Sequence, residues 1–245
     1  MTLKDGHLPP CAICMAGKMS QIPFPIPLNC RTSEPLQIIH TDICGPMRQQ
    51  SLGGNLYFVT FVDDFTKWTE VRMLKHKSDL LQTFKDVKVF LETQTGKKIR
   101  AIQSDNGAEY SSKAFQQILI QNGIQRRLTV PYTPQQNGTA ERKNRTLVEM
   151  ARCNMIQSKL PPSFWGEAVT IANYTRNRCP SRSIGMKTPY ELWTGNRPSV
   201  RHFRPFGSRA FILDKKPGKG KFDPRSKPCT FVGYSDESKA YSLAS

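Results

Sequence analysis

The sequence has 245 residues, of which 38% are hydrophobic, enough to bury a substantial core in one main domain with an appendage. Thirty-six Lys and Arg against 19 Asp and Glu give a net charge of +17, which favours a nucleic-acid partner over an anionic membrane surface. The chain has no apolar run of membrane-spanning length, no signal-peptide core and no disulfide framework among its seven Cys, so we expect a soluble intracellular protein.

Residues 1–30 are predicted to be a separate piece, a partial zinc-binding module followed by a Pro-rich linker. Cys11 and Cys14 form a CxxC knuckle of the kind that supplies two zinc ligands. His7 and Cys30 are the nearby candidates for the other two ligands, and neither has the spacing of a zinc site. Two unliganded thiols in a loose segment explain the pattern equally well, so Zn²⁺ binding stays doubtful.

Residues 31–195 have the pattern of an α/β domain. Three runs rich in β-formers, LQIIHTDICG, LYFVTFVDD and WTEVRML, are joined by short turns and predict an antiparallel meander. A helix over 78–95 ends at Gly96, a strand IRAIQSD follows, and a helix over 112–122 ends at Gly123 before a fifth strand, IQRRLTV. This order of elements is that of the ribonuclease H-like fold, a mixed five-stranded sheet flanked by helices.

A loop over 131–138 precedes a long helix with no breaker until Pro161. Glu141 lies in its first turn, where free backbone N–H groups favour a carboxylate. The helix should bury one face that carries Ala140, Leu147, Ala151 and Met155.

Two shorter helices should follow. The first is predicted to be capped by Ser163, and the second by Thr188, with its end near Gly195.

Residues 196–245 are predicted to form a basic C-terminal region. Between Arg197 and Lys227 the chain carries ten Lys and Arg against two Asp. The segments RAFILD and CTFVGYSD are predicted to be strands of a small β module.

Three carboxylates are candidates for a metal site. Asp42 lies within the first predicted strand and Asp105 at the end of the fourth, and these strands can be central neighbours. Glu141 follows Asp105 after 35 intervening residues, on a helix that can pack beside both strands. Phosphoryl transfer on nucleic acid uses two hard cations, and Mg²⁺ prefers oxygen ligands. We therefore expect Asp42, Asp105 and Glu141 to bind two Mg²⁺ or Mn²⁺ ions.

Other acids fit structural roles better. Asp63 and Asp64 end the second predicted strand, where a hairpin turn explains them, and Glu109 has the position of a helix-start acid. His40 shares a strand face with Asp42 and is expected to pack or to form hydrogen bonds.

The motifs HTDICGP, VDDFTKW, SDNGAEY and PYTPQQNGTAERKNRTL resemble the integrase of copia-type LTR retrotransposons, part of a Pol polyprotein, and more distantly retroviral integrases. The resemblance continues through LPPSFWGEAV, TPYELWTG, RHFRPFG and TFVGYSDESKAY. It implies that Asp42, Asp105 and Glu141 are the catalytic acids of a DNA strand transferase that inserts element cDNA into genomic DNA. The family's zinc-binding domain has two His before its Cys pair, and His7 does not fall at their place.

The resemblance also implies element cDNA ends and target DNA as partners, a homo-oligomer, no membrane, and a nuclear location after a cytoplasmic particle stage. Two alternatives stay open, a ribonuclease H-type nuclease of the same fold and a non-catalytic DNA-binding relic. The expected DNA contacts are basic side chains of the Glu141 helix and of the C-terminal region. They are Arg142, Lys143, Arg145, Arg152, Lys215, Lys216, Lys219 and Lys221.

Overall fold

A mixed five-stranded sheet forms the centre of the computed structural model. The structure describes residues 32–128, 138–215, 218, 220–235 and 240–244. The strands run in the order β3-β2-β1-β4-β5. Strands β1, β2 and β3 pair antiparallel, whereas β4 pairs parallel with both β1 and β5. The strands are β1 (Ile39–Cys44), β2 (Tyr57–Asp63), β3 (Thr69–Leu74), β4 (Ala101–Ser104) and β5 (Gln125–Leu128). The predicted meander and mixed sheet are confirmed.

Helices on the first face of the sheet begin and end at the predicted signals. Helix α1 (Leu80–Thr95) ends where Gly96 adopts φ 66°, a left-handed conformation that glycine accepts without strain. A short helix α2 (Ala108–Ser111) precedes α3 (Lys113–Gln121), whose cap is the Ser112 hydroxyl accepting from the Phe115 amide. The helical spacing of the apolar residues thus predicts both long helices correctly.

The two faces of the sheet bury separate apolar clusters. Alternation along β2 sends Phe61 toward α1 and α3, where its ring lies 6.3 Å from that of Phe84. Phe58 points the other way and lies 6.4 Å from the ring of Trp165. Thr60 shares the face of Phe58, and in β1 Asp42 shares it too, because Asp42 pairs with Thr60 across the strands. This second face carries the candidate site.

Helices α4 (Gly138–Ser158) and α5 (Trp165–Asn177) cover the second face. Helix α4 buries Ala140, Leu147 and Ala151 as the apolar spacing predicts. The predicted Ser163 cap of α5 is wrong, because Pro162–Phe164 forms a 3₁₀ turn and Phe164 takes the cap position.

The predicted Thr188 cap is confirmed. Helix α6 (Pro189–Thr194) has Thr188 as its cap and ends at Gly195. None of the helices in the described parts of the chain has both the length and the apolar character needed to cross a bilayer.

The C-terminal region forms a three-stranded antiparallel sheet in the order β6-β7-β8. Its strands are β6 (Arg209–Leu213), β7 (Ser226–Tyr234) and β8 (Tyr241–Ala244). Strand β7 packs on α5, and the ring of Tyr234 stacks on Tyr174 at 4.2 Å. The small β module is confirmed, although β8 was not predicted.

Candidate active site

Asp42 lies in β1, on the face that α4 covers, and its side chain is half-buried. Asp42 pairs across the sheet with Thr60 of β2. A carboxylate in this position has lost part of its water, so it needs a hydrogen-bond donor or a cation. Helix α4 supplies the donor.

Asn144 of α4 connects Asp42 to β2. Its side-chain Nδ2 donates to Asp42 Oδ2 at 2.9 Å, while its Oδ1 accepts from the Thr60 hydroxyl at 2.8 Å. Asn144 is 5% exposed, so both bonds are shielded from water. The two bonds fix the amide orientation and, through it, the position of the Asp42 carboxylate. Our sequence reasoning missed Asn144, although an amide between Ala140 and Leu147 on a buried helix face signals a polar partner in the core.

Asp105 follows directly after β4, the parallel neighbour of β1. His40 pairs with Gln103 in this register, so two further steps along each strand bring Asp42 and Asp105 to the same level of the sheet. Asp105 Oδ1 accepts from the Gly107 amide at 3.0 Å. A Cβ at Gly107 would lie 3.0 Å from this oxygen, so a larger residue there would crowd the carboxylate.

Glu141 is exposed in the first turn of α4, three positions before Asn144. Residues three apart lie on neighbouring parts of a helix surface, so Glu141 flanks the Asn144 contact with Asp42. Among the described residues Glu141 has no hydrogen-bond or ion-pair partner. Its carboxylate is therefore available for a ligand.

The charges of the three acids act on one another. Burial, and then the charge of Asp105, raise the pKa of Asp42 to about 6, with a smaller contribution in the same direction from Glu141. The hydrogen bond from Asn144 opposes this increase. The contributions of Asp105 and Glu141 to the pKa of Asp42, which come after that of burial, indicate a region of negative potential inside a strongly basic protein.

The residues present fit divalent cations of the Mg²⁺ type. The donors are three carboxylates, which are hard oxygen ligands, and the mutual repulsion that raises the pKa of Asp42 would be relieved by a cation. Within the described ranges, no three His, Cys, Asp or Glu side chains already form a closed metal-binding group. As they stand, the three carboxylates therefore do not form a metal-binding group, and binding would need their side chains to approach one another.

Asp63 and Asp64 have structural roles, as their place at a turn predicts. Asp63 Oδ1 accepts from the Leu36 amide at 2.8 Å, and its Oδ2 accepts from the Thr66 amide and hydroxyl at 2.8 and 2.6 Å. Asp64 pairs with Lys67 at 2.7 Å and with His40 at 3.2 Å. Burial raises the pKa of Asp64, but the hydrogen bonds from His40 and Lys67 outweigh it and hold the pKa below its usual range.

Glu109 is also a helix-start acid, as predicted, in the first turn of α2 and 3.8 Å from the ammonium of Lys77.

The predicted DNA-contact residues divide into three groups. Arg142, Arg145 and Arg152 are exposed along α4, and Lys215 and Lys221 are exposed between β6 and β7. Lys143 is half-buried, and burial, followed by the charges of Arg176 and Lys67, lowers its pKa to about 7. Lys216 and Lys219 lie outside the described residues.

The zinc candidates Cys11 and Cys14, with His7 and Cys30, also lie outside the described residues.

Two families match the chain. Residues 32–134 match the Integrase core domain family, and residues 208–244 match the Retroviral polymerase SH3-like domain family. The second match covers the three strands of the C-terminal sheet.

Curated relatives are similar over almost the whole chain. The Retrovirus-related Pol polyprotein from transposon TNT 1-94 of Nicotiana tabacum is 43% identical over 98% of the chain, and that from transposon RE2 of Arabidopsis thaliana is 32% identical over 94%. The Transposon Ty1-LR3 Gag-Pol polyprotein of Saccharomyces cerevisiae is 28% identical over 91%. The chain spans only 18%, 16% and 13% of these relatives.

Solved structures of retroviral integrases share the fold. The chain is 21% identical, with a TM-score of 0.56, to a simian T-cell lymphotropic virus intasome chain, covering 87% of this chain and 77% of that one. It is 19% identical, with a TM-score of 0.50, to the HTLV-2 integrase catalytic core domain in complex with magnesium, covering 66% and 99%. At this identity the likeness establishes the α/β core fold and no more.

Proposed function

Since the chain belongs to the integrase core family of copia/Ty1-type retrotransposon Pol polyproteins, within the retroviral integrase superfamily, we propose that it catalyses metal-dependent DNA strand transfer. In this reaction the 3′-hydroxyl of an element cDNA end attacks a phosphodiester of target DNA and displaces a 3′-oxygen. Two Mg²⁺ or Mn²⁺ ions, when bound, supply the activation of the attacking oxygen and the stabilisation of the leaving oxygen.

In this proposal Asp42, Asp105 and Glu141 would together hold the two ions. The observation that carries it is geometric: the parallel pairing of β1 with β4 brings Asp42 and Asp105 to the same level of the sheet, and Asn144, three positions after Glu141, donates to Asp42. Asn144 donates to Oδ2 of Asp42 and so ties this carboxylate to α4, the helix that carries Glu141. Because Thr60 in turn fixes the Asn144 amide, this hydrogen bond limits the rotation of the Asp42 carboxylate.

The basic surface supports DNA as the substrate. Arg142, Arg145 and Arg152 are exposed along α4, the helix that also carries Glu141. Contacts of this type bind phosphates, so we expect binding that is weakly sequence-selective and falls steeply as salt rises. The exposed Lys215 and Lys221 extend the basic surface to the C-terminal sheet.

The decisive assay combines the whole protein with Mn²⁺, a labelled element-end duplex and a supercoiled plasmid. We expect joined products from the wild-type protein and none from Asp105→Asn. The matched control is Asp86→Asn, the same change on the exposed surface of α1, which should join as the wild type does. Full activity in Asp105→Asn would refute the assignment of the acids.

The same assay, with a labelled RNA–DNA hybrid tested in parallel, separates the alternatives. Metal-dependent cleavage of an RNA–DNA hybrid without joining would select a ribonuclease H-type nuclease. DNA binding without any metal-dependent product would select a non-catalytic relic. The basic surface on α4 and the C-terminal sheet favours strand transfer over hydrolysis, because a hydrolase needs no second DNA.

The remaining assignments follow from the proposal. A strand transferase holds two cDNA ends and a target together, and the similar simian virus protein is part of an intasome, so we propose a homo-oligomer. Action on genomic DNA requires the nucleus, after a cytoplasmic particle stage. We propose a catalytic core over 31–195 and a basic C-terminal region over 196–245. The zinc-binding role of 1–30 remains a proposal that metal analysis of the whole protein would test.

A further inference from the structure

A cavity of about 330 Å³ lies beside α4, at the end of the sheet where β2 turns into β3. Four cationic side chains line it, two from α4, one from α5 and one from the β2–β3 turn. They are Arg142, Lys143, Arg176 and Lys67. Four hydroxyl residues complete its polar lining, and these are Thr139, Thr146, Ser181 and Ser183. No Asp or Glu contributes to this lining.

Few anions or hydrogen-bond acceptors of the described residues balance the positive charges of the cavity. Lys67 pairs with Asp64, and Arg176 donates to the Pro180 carbonyl at 3.4 Å. Lys143 and Arg142 have no ion-pair partner among the described residues, and residues 129–137, which come just before α4 in the sequence, include no Asp or Glu. The half-buried side chain of Lys143 lines the same cavity as the side chains of Arg176 and Lys67. Like charges brought together in a partly dry cavity are costly unless an anion joins them.

The pocket is separate from the carboxylate site. Lys143 follows Glu141 by two positions, which turns its side chain by about 200° around the helix axis. Thr139, Arg142 and Thr146 share the flank of Lys143, because their spacings of three, four and seven place them on one strip of the helix. Helix α4 therefore presents a carboxylate on one flank and a cationic cavity on the other.

The chemistry of the lining matches a tetrahedral oxyanion. Guanidinium groups donate two parallel hydrogen bonds to phosphate oxygens, an ammonium adds a point charge, and hydroxyls can donate to the oxygens that remain. A carboxylate ligand would use fewer of these donors, and an uncharged ligand would leave the charges uncompensated.

We propose that this cationic cavity binds a phosphate group, supplied either by a phosphodiester of bound DNA or by a free phosphate or pyrophosphate ion. The inference does not depend on the strand-transfer activity, because it concerns binding without divalent metal. Lys143 and Arg176 are the central residues, since they come from different helices and face one cavity.

Calorimetric titration of the whole protein with sodium pyrophosphate tests the proposal, with EDTA present and ionic strength held constant with sodium chloride. We expect saturable binding by the wild-type protein and a loss of about tenfold or more in affinity for Lys143→Gln and for Arg176→Gln, as for a hydrogen bond to a charged group. The control is Lys85→Gln, which removes one charge from the exposed surface of α1 and should keep nearly the wild-type affinity.

Thermal unfolding in phosphate-free buffer distinguishes binding from a structural role. Lys143→Gln should unfold no earlier than the wild type, because it removes an unpaired ammonium from beside two cations. Should Lys143→Gln fail to fold, Arg176→Gln decides the result. The proposal is overturned if the wild type gives no saturable heat, or if Lys85→Gln loses as much affinity as the pocket variants.

A second measurement identifies the source of the phosphate. Anisotropy with a short labelled duplex, again without metal, compares Lys143→Gln with Lys85→Gln. A larger loss for Lys143→Gln identifies the DNA backbone as the ligand, whereas equal losses together with lost pyrophosphate binding identify the free ion. Both results require an intact cationic cavity. Either result can be obtained whether or not the protein joins DNA, so the two proposals are tested independently.

Discussion

Two groups of acids lie on the same sheet and differ in how many hydrogen-bond partners the protein gives their carboxylates. At the β2–β3 turn, Asp63 accepts three hydrogen bonds, and Asp64 is bonded to Lys67, His40 and Thr32. At the other group, Asp42 receives one side-chain donor, from Asn144, and faces two further anions. Acids at a structural site have their partners in the chain, whereas acids at a binding site have room for a ligand.

The two groups also differ in whether the nearby basic residues pair with the acids. Lys67 is within reach of Asp64 and lowers its pKa together with His40, although burial opposes them. Arg142 and Lys143 lie on the same helix as Glu141 and have no ion pair with it among the described residues. Cations that do not neutralise the nearby acids remain available for phosphates.

The largest expected effect is on chemistry. Asp42→Asn should reduce joining about a thousandfold or more, since loss of a ligand to both ions removes several kcal/mol of transition-state stabilisation. Its thermal unfolding midpoint should not fall, because the change removes one of three mutually repelling anions. Joining assays and thermal scans on the same preparation check both statements. A variant that loses stability together with activity would place Asp42 in the structural group.

For Asp63 we expect the opposite result, a loss of stability without a loss of joining. Asp63→Ala removes the acceptor for the Leu36 amide and for the amide and hydroxyl of Thr66, and should lower the free energy of unfolding by about 3 kcal/mol. Urea unfolding measures this loss, with Asp86→Ala on the exposed surface of α1 as the matched control. At temperatures where the variant is folded it should still join DNA. Loss of joining in the folded variant would end the distinction between the two groups.

Much of this comparison could be predicted from sequence. The breaks at Gly45-Pro46, Gly96 and Gly123 separate the elements, and their order places Asp42 and Asp105 on neighbouring strands, which β1 and β4 are. A turn position was also enough to assign Asp63 and Asp64 to structural roles.

Features that depend on tertiary contacts could not be predicted. Asn144 acts through Thr60, which is 84 positions away in the chain, so no local pattern connects them. The cationic cavity is lined by side chains of α4, α5 and the β2–β3 turn, which are brought together only in the folded protein. The Ser163 cap failed because Pro162 starts a 3₁₀ turn first. The catalytic role of the acids stays a prediction until it is assayed.

A variant of Asn144 tests whether this residue positions the Asp42 carboxylate. Asn144→Ala removes the donor to Asp42 and the acceptor for Thr60, and we expect joining to fall about 10–100-fold, as when a residue that orients a metal ligand is lost. The required Mg²⁺ concentration should rise as well, which a purely structural defect would not cause. Asn122→Ala, at the exposed end of α3, is the matched control. An unchanged Mg²⁺ dependence would argue against a positioning role.

The smallest expected effect is on the pH dependence of the unfolding free energy, and it concerns Asp64 at the β2–β3 turn. The pKa of Asp64 lies below its usual range because the hydrogen bonds from His40 and Lys67 outweigh the effect of burial. A lowered folded-state pKa stabilises the fold fully above the unfolded value, near about 4, and this stabilisation is lost as pH falls through the folded-state pKa. The unfolding free energy of the wild type should therefore fall more steeply below that pH than that of Asp64→Asn. The two curves should converge in acid, because a protonated Asp64 resembles an amide in charge. Parallel curves across this range would show that the turn acids are no better compensated than Asp42, and the contrast between the two groups would then have no electrostatic basis.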